Sequence, residues 1–205
     1  MKKRRIAIEE KKKNLRLTIW RLMARRKVAR PPFPCYERIP NFWGADQAAE
    51  TLKNVPEFIN AQVVLVSPDS PQRPVRELVF KEGKTLVMAT PRLKDGYILI
   101  NPPVKCEVST ACTIKGAYEH GRLIRNLCNV GFVVEGCVAV DLSGNRLGKG
   151  GGYGDREITE ARRLNAGVKV AVTCHSVQVV HKVPRSERDQ LVDYIATESG
   201  LFKCV

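Results

Sequence analysis

Four apolar, β-prone runs set the strongest limit on how this chain can fold: Val63-Val-Leu-Val66, Thr85–Ala89, Val130-Gly-Phe-Val-Val134 and Val168–Thr173. Val63–Val66 is continuously apolar rather than alternating, and Thr85–Ala89 reads as another buried strand. A strand with one face in water alternates apolar and polar residues, whereas a continuous run needs cover on both faces, as parallel strands have. Helix-like segments lie between them. Pro71–Glu82 carries Val75, Leu78 and Val79 and closes at Gly83, and Asp155–Leu164 closes at Asn165-Ala-Gly167. Strands alternating with helices predict an α/β fold of three layers, α/β/α, with a mostly parallel sheet. Gly96–Ile100, Val138–Asp141, Val177–Val180 and, as the last strand, Leu191–Thr197 are further β candidates. Residues 105–125 read as a loop with one short helix. With 205 residues and 43% apolar content, one domain over residues 1–205 can close a sizeable core.

The formal charge of +14 is unevenly spread. Residues 1–30 hold thirteen Lys/Arg against Glu9 and Glu10, a local +11, which leaves only +3 for the other 175 residues. The segment to about residue 27 is helix-forming from Ile6 to Arg26, with Leu15, Ile19, Leu22 and Met23 on one stripe. Lys12 and Arg16 are one turn apart and share a face. Such an arm suits RNA through a salt-sensitive, sequence-independent attraction. The preferred reading is a solvated helix lending a few cations to a phosphate site. The prolines of Ala29-Arg-Pro-Pro-Phe-Pro then impose an extended connection. Ala45–Lys53 is a short helix with Asn41 or Gly44 near its start, and Phe42 and Trp43, being adjacent, face opposite ways.

The densest chemistry lies in Val138-Ala-Val-Asp-Leu-Ser-Gly-Asn-Arg-Leu-Gly-Lys-Gly-Gly-Gly-Tyr-Gly-Asp-Arg156. A β-prone start leads through a turn at Ser143-Gly144-Asn145 to a glycine loop holding Arg146 and Lys149. Glycines let backbone N–H groups approach an oxyanion, and a following helix start adds free donors and a positive dipole end. Asp155 and Glu157 open that helix, and a carboxylate beyond a phosphate cradle suits Mg²⁺. A plain glycine turn fits the composition equally well. The loop matches neither G-x-x-x-x-G-K-[ST] nor G-x-G-x-x-G.

Other chemistries find little support. His120, His175 and His181 lack metal-ligand spacing and an evident serine or cysteine partner, and Cys174 and His175, adjacent on a strand, face apart. Seven scattered cysteines without a CxxC pair read as reduced thiols. No apolar run is long enough to span a bilayer and the N-terminus has no apolar leader, so a soluble, cytoplasmic protein is expected. Cation, glycine loop and carboxylate together suit phosphoryl transfer, which needs positioning and charge neutralisation.

Gly144-Asn-Arg-Leu-Gly-Lys-Gly-Gly-Gly-Tyr-Gly-Asp155 resembles the G-x-R-L-G-x-G-x-G-Y-Y-D signature of the 5-formyltetrahydrofolate cyclo-ligase (methenyltetrahydrofolate synthetase) family, with Gly154 in place of the second tyrosine. Lys12-Lys-Asn-Leu-Arg16 resembles that family's K-x-x-L-R. Gln178-Val-Val, Pro184, Arg188-Asp189, Asp193 and Thr197-Glu198 resemble its C-terminal block, with Arg188 where a histidine is usual. The resemblance implies a fold related to ribose-phosphate isomerase and CoA-transferase domains. It also implies an ATP- and Mg²⁺-dependent ligase acting on 5-formyltetrahydrofolate, monomeric or a simple homo-oligomer. Lys12, Arg16, Arg146, Gly148, Lys149, Gly150, Gly151, Gly152 and Tyr153 would then contact ATP, with Arg146, Lys149 and Tyr153 at the reacting centre. Arg16, Lys149 and Tyr153 would also edge the folate, with Asp46 or Glu50 standing where the family has its folate-binding glutamate. Asp155 and Asp189 would hold Mg²⁺. Two rivals stay open: an ATP-using enzyme of this fold with another acid or amide substrate, and an RNA-binding protein that uses the basic N-terminal segment.

Overall fold

A computed structural model describes the backbone of residues 2–104 and 106–205, and side chains from Ile6 onward apart from Lys105. The first four basic side chains of the arm, Lys2 to Arg5, lie outside the described residues.

Eight strands build the main sheet: β1 (Val63–Val66), β2 (Thr85–Ala89), β3 (Tyr97–Ile100), β4 (Arg122–Ile124), β5 (Phe132–Gly136), β6 (Lys169–Thr173), β7 (Tyr194–Thr197) and β8 (Gly200–Lys203). Their order is β8-β7-β6-β5-β1-β2-β3-β4. The five central strands, β7-β6-β5-β1-β2, are parallel, while β8 on one side and β3 and β4 on the other are antiparallel. The continuous apolar runs are thus the central strands. Val64, Leu65, Val66, Val133, Val134, Val170 and Val172 are fully buried, each adding roughly 1.5–3 kcal/mol relative to exposure.

Helices cover both faces. Helix α1 (Lys2–Arg25) is followed by α2 (Ala45–Glu50), α3 (Pro56–Asn60), α4 (Arg73–Lys81), α5 (Val108–Ala111), α6 (Ile114–His120) and α7 (Tyr153–Leu164). Side chains from α3 to α6, among them Phe58, Leu78, Val79 and Ala117, pack on one sheet face. Ile158 and Ala161 of α7 pack on the other, against Leu65, Val133 and Ile195. A third cluster seats α1, through Ile19, Trp20 and Met23, on Phe42, Val138 and Leu147. Phe42 is buried while Trp43 is 60% exposed beneath Arg30, as adjacency on an extended segment predicts.

Four expectations need correction. Residues 105–125 hold two short helices, α5 and α6, and strand β4, rather than a loop with one helix. Thr113 caps α6 by accepting from the Gly116 N–H at 2.9 Å, a local signal that the Cys112-Thr113 context obscured. Val177–Val180 is not a strand: Ser176–Gln178 is a 3₁₀ turn, with one bridge from Val179 to Val140. The strand expected over Leu191–Thr197 starts at Tyr194 and is not the last, since the chain turns at Ser199-Gly200 into β8. Ala139–Val140 leaves the main sheet to pair antiparallel with Arg146–Leu147. Asp141 fixes that turn by accepting from the N–H groups of Ser143 and Asn145 and from the Asn145 amide.

Candidate active site

The sheet reverses its order of growth between β1 and β5. From β1 the chain steps to β2 on one side, and later passes from β5 through β6 to β7 on the other. Ligands of open α/β sheets settle outside the carboxyl ends of strands at such a switch. Here the switch holds a cavity of about 390 Å³, lined by Ser67-Pro-Asp69 after β1, Thr90-Pro-Arg92 after β2, Glu135 and Gly136 of β5, and the glycine loop. A second cavity, of about 660 Å³, lies between that loop, α1 and the 186–189 turn. Arg146, Gly148, Gly152 and Asp155 line both, so the loop is a wall shared by two chambers.

Their chemistry differs. The larger chamber is lined by six cations, Lys12, Arg16, Arg146, Arg156, Arg163 and Arg188, against four carboxylates. It also faces the start of α7. Gly152 sits there at φ +69°, a left-handed conformation that glycine adopts without strain, and no side chain caps the helix. The first N–H groups of α7 therefore stay available beside a positive dipole end. The smaller chamber has the apolar sides of Ile39, Ile114, Pro68 and Pro91 and a floor that includes Glu135 and Glu157.

Arg146 organises the wall. Its guanidinium is buried, donates to the Gly136 carbonyl at 3.1 Å and pairs with Asp155 at 3.0 Å. Although burial disfavours its charge, Asp155 and Glu135 outweigh that and hold it above its usual value. Asp155 also accepts from the Gln190 N–H at 3.0 Å, which ties α7 to the turn carrying Asp189. Asp189 pairs with Lys12 at 2.6 Å and accepts from the Ser186 N–H at 2.6 Å. Burial opposes ionisation of Asp189, but Lys12 and that N–H prevail and lower its pKa below the ordinary value. Arg16 reaches the loop itself, donating to the Gly148 carbonyl at 2.8 Å. Burial draws its pKa down and Glu9 and Asp189 oppose this; a guanidinium stays charged regardless.

The predicted residues thus converge, with some reassigned between chambers. Lys12, Arg16, Gly148, Gly150, Gly152, Asp155 and Asp189 line the basic chamber, whereas Lys149, Gly151 and Tyr153 line the smaller one. Lys149 pairs there with Asp69 at 2.7 Å. Asp46 and Glu50 are not brought in: Asp46 is exposed and 3.9 Å from Arg30, and Glu50 pairs with Lys53. Glu198 lies outside both chambers, accepting from the Ser176 N–H at 2.9 Å. Asp155 and Asp189 offer carboxylate oxygens of the kind Mg²⁺ takes together with phosphate oxygens. Oδ2 of Asp155 has no protein partner among the described residues, whereas both oxygens of Asp189 are held by Lys12. No cluster of three or more His, Cys, Asp or Glu side chains suited to a metal forms among the described residues. Of the two aspartates, only Asp155 therefore has an oxygen left for such an ion.

Sequence reasoning missed Asp69 and Glu135, and took Glu157 only as a helix-opening acid. Glu135 had a signal: a carboxylate ending a buried apolar run on the carboxyl side of a parallel strand. Burial raises its pKa to about 7, with the attraction of Arg146 opposing. Burial and then the nearby Glu135 push Glu157 well above the carboxylate range.

A parallel sheet with cavities at its switch point and a basic glycine wall between them defines an α/β fold with a built ligand cleft. The 5-formyltetrahydrofolate cyclo-ligase family matches residues 8–198, and the chain belongs to that family. It is 37% identical over 203 residues to a methenyltetrahydrofolate synthase domain-containing protein of Mus musculus, covering 93% of this chain and 54% of that one. Its Homo sapiens counterpart is 36% identical over 208 residues, covering 96% and 54%. The chain therefore spans about half the length of the curated relatives it matches. The solved 5,10-methenyltetrahydrofolate synthetase of Aquifex aeolicus superimposes with a TM-score of 0.60 at 22% identity, covering 94% of this chain and 92% of that one. That of Mycoplasma pneumoniae gives 0.56 at 14%, covering 91% and 98%. At these identities the two structures establish the shared fold. No helix among the described residues is long and apolar enough to cross a membrane.

Proposed function

We propose that the chain is an ATP-dependent cyclo-ligase that converts 5-formyltetrahydrofolate to 5,10-methenyltetrahydrofolate, working in the cytoplasm. The observation carrying this reading is the shared wall: a basic chamber and an acid-floored chamber meet at Arg146, Gly152 and Asp155. The triphosphate occupies the basic chamber, held by Lys12, Arg16, the backbone of Gly148 to Gly152 and the start of α7. The folate occupies the smaller chamber beside Lys149 and Tyr153. Its formyl oxygen attacks the γ-phosphorus as the bond to the β-phosphate oxygen breaks and ADP leaves. N10 then adds to the activated carbon, loses its proton, and phosphate departs as the ring closes. Arg146 and the loop N–H groups stabilise the charge spreading over the transferring phosphoryl group. Asp155 would hold Mg²⁺ through its free oxygen together with phosphate oxygens, and the ion would supply charge neutralisation there. Asp189 instead fixes the Lys12 ammonium at the rim of the basic chamber.

Absorbance of methenyltetrahydrofolate after mixing protein, ATP, Mg²⁺ and 5-formyltetrahydrofolate tests the reading; absence of product at every substrate concentration would refute it. Lys149 is half-exposed and its partner Asp69 stays solvated. Lys149→Ala should therefore lower turnover about 10- to 100-fold while leaving the denaturation midpoint in place. Asp155→Asn should reduce turnover at least tenfold and shift the magnesium titration to higher concentration, as expected when one anionic ligand of a hard cation is lost. An unchanged magnesium titration removes Asp155 from the ion's site.

A further inference from the structure

The segment between α1 and α2 carries an exposed surface that neither chamber uses. Ala29–Arg30 pairs antiparallel with Asn41–Phe42, and the Asn41 amide donates to the Pro31 carbonyl at 2.8 Å, closing a ribbon. Ala29, Cys35, Ile39 and Phe42 form its inner side, buried in the cluster that also holds Ile19 and Met23 of α1. Trp20 of α1 fixes the far end, donating from its indole N–H to the Arg38 carbonyl at 3.1 Å. The outer side is different. Pro31, Pro32, Phe33 and Pro34 are four consecutive exposed residues at the tip, with Phe33 63% exposed. Trp43, at the base of the ribbon, is exposed as well. Contiguous apolar exposure of this kind, unlike scattered single side chains, marks a docking surface.

Cations surround it. Residues 21–43 hold Arg21, Arg25, Arg26, Lys27, Arg30 and Arg38 against one carboxylate, Glu37. None of the six lines either chamber, in contrast to Lys12 and Arg16 earlier in α1. Among the described residues only Arg30 of the six has a carboxylate within ion-pair distance, Asp46 at 3.9 Å.

Two features decide what such a surface meets. Three of the four tip residues are prolines, which have no backbone N–H. The tip therefore enters an apolar interface without leaving those donors unsatisfied. To a nucleic acid it would offer phosphates no proline N–H and bases no aromatic plane except that of Phe33. The other exposed rings already have partners: the Arg30 guanidinium lies 4.6 Å from the Trp43 ring centroid, and Tyr36 lies 5.9 Å from Trp20. That arrangement suits rings with one end apolar and one end wet, as Trp and Tyr are used at membrane interfaces.

We propose that the ribbon is a peripheral docking surface for an anionic membrane. The Pro31–Pro34 tip and Trp43 enter the headgroup layer while the surrounding cations meet acidic lipids. An apolar insertion and a basic collar are the two signals that together hold a protein on a leaflet without a spanning helix. Each cation near such a leaflet strengthens the attraction about fivefold.

The test is co-sedimentation of the full chain with vesicles of phosphatidylcholine, alone or with about one third phosphatidylserine. Binding to the anionic vesicles should be at least tenfold tighter and should fade as salt rises. Tryptophan emission should shift to the blue on binding, and Trp43→Phe should abolish the shift, because Trp20 is already buried. Phe33→Glu and Arg38→Glu alter exposed side chains. Each should weaken vesicle binding at least tenfold while leaving the denaturation midpoint and methenyltetrahydrofolate formation in place. Equal or absent binding to the two vesicles overturns the proposal. Full binding by a folded Phe33→Glu protein overturns it too, since charge alone would then account for the attraction. Retention of a single-stranded oligouridylate with no vesicle binding overturns it in favour of RNA. Vesicle binding without turnover of 5-formyltetrahydrofolate would instead sink the cyclo-ligase reading and leave this inference standing.

Discussion

Arg146→Ala is expected to lower turnover by about 10²- to 10³-fold, the usual loss when a preorganised donor at a developing charge is removed. It should also destabilise the fold by about 3–5 kcal/mol, because one member of a buried charge set is taken from the others. The guanidinium bridges the Gly136 carbonyl and Asp155 and is the attraction that opposes burial at both Glu135 and Glu157. Deleting it leaves two nearly inaccessible carboxyls with only each other. Arg146→Lys should recover part of the stability and little of the activity, since a single ammonium cannot span both partners of the planar fork. Urea unfolding and methenyltetrahydrofolate absorbance measure the two effects. A variant with unaltered unfolding would show that the wall does not depend on this side chain.

Glu135 should make stability fall as pH rises. Its pKa lies near 4.5 when exposed and is raised to about 7 in the fold, burial being the main cause and Arg146 too weak an attraction to cancel it. Between those values the folded chain holds a proton that the unfolded chain has released. The stabilising contribution is thus complete below about 4.5 and lost as the pH climbs through about 7. Glu135→Gln keeps the shape and removes one of two interacting titrations, leaving that of Glu157. It should be more stable than the unaltered protein at pH 8, by on the order of 3 kcal/mol, with the gap closing by pH 5. A gap of equal size at pH 5 and pH 8 would show that burial of this carboxyl does not control the difference.

The parts that were legible are those where one local rule dominates. The parallel strands were visible because continuous apolar runs such as Val63–Val66 have few other uses. The turn at Ser143-Gly144-Asn145 was visible through residues that bond their own backbone, and Lys12 and Arg16 through helical spacing. What stayed hidden was set by tertiary partners. Strand β4, with exposed Leu123 and half-buried Ile124, pairs only because β3 offers an edge. Ala139–Val140 has the composition of a buried strand, yet it pairs with Arg146–Leu147 outside the main sheet. Lys149 belongs by sequence to a phosphate loop, but Asp69, eighty residues earlier, draws it into the other chamber. No spacing rule links Glu135 to Glu157 or either to Gly154; the crossing of β5 with α7 brings them together.

A partition common to both chambers also governs how their occupants affect each other. On the proposed reading both occupants touch the strip from Gly148 to Gly152, which Arg16 ties to the first helix and Lys149 to Asp69. Any change that one occupant imposes on these ties alters the wall that the other meets. Linkage then makes the effect on affinity equal in either order of arrival.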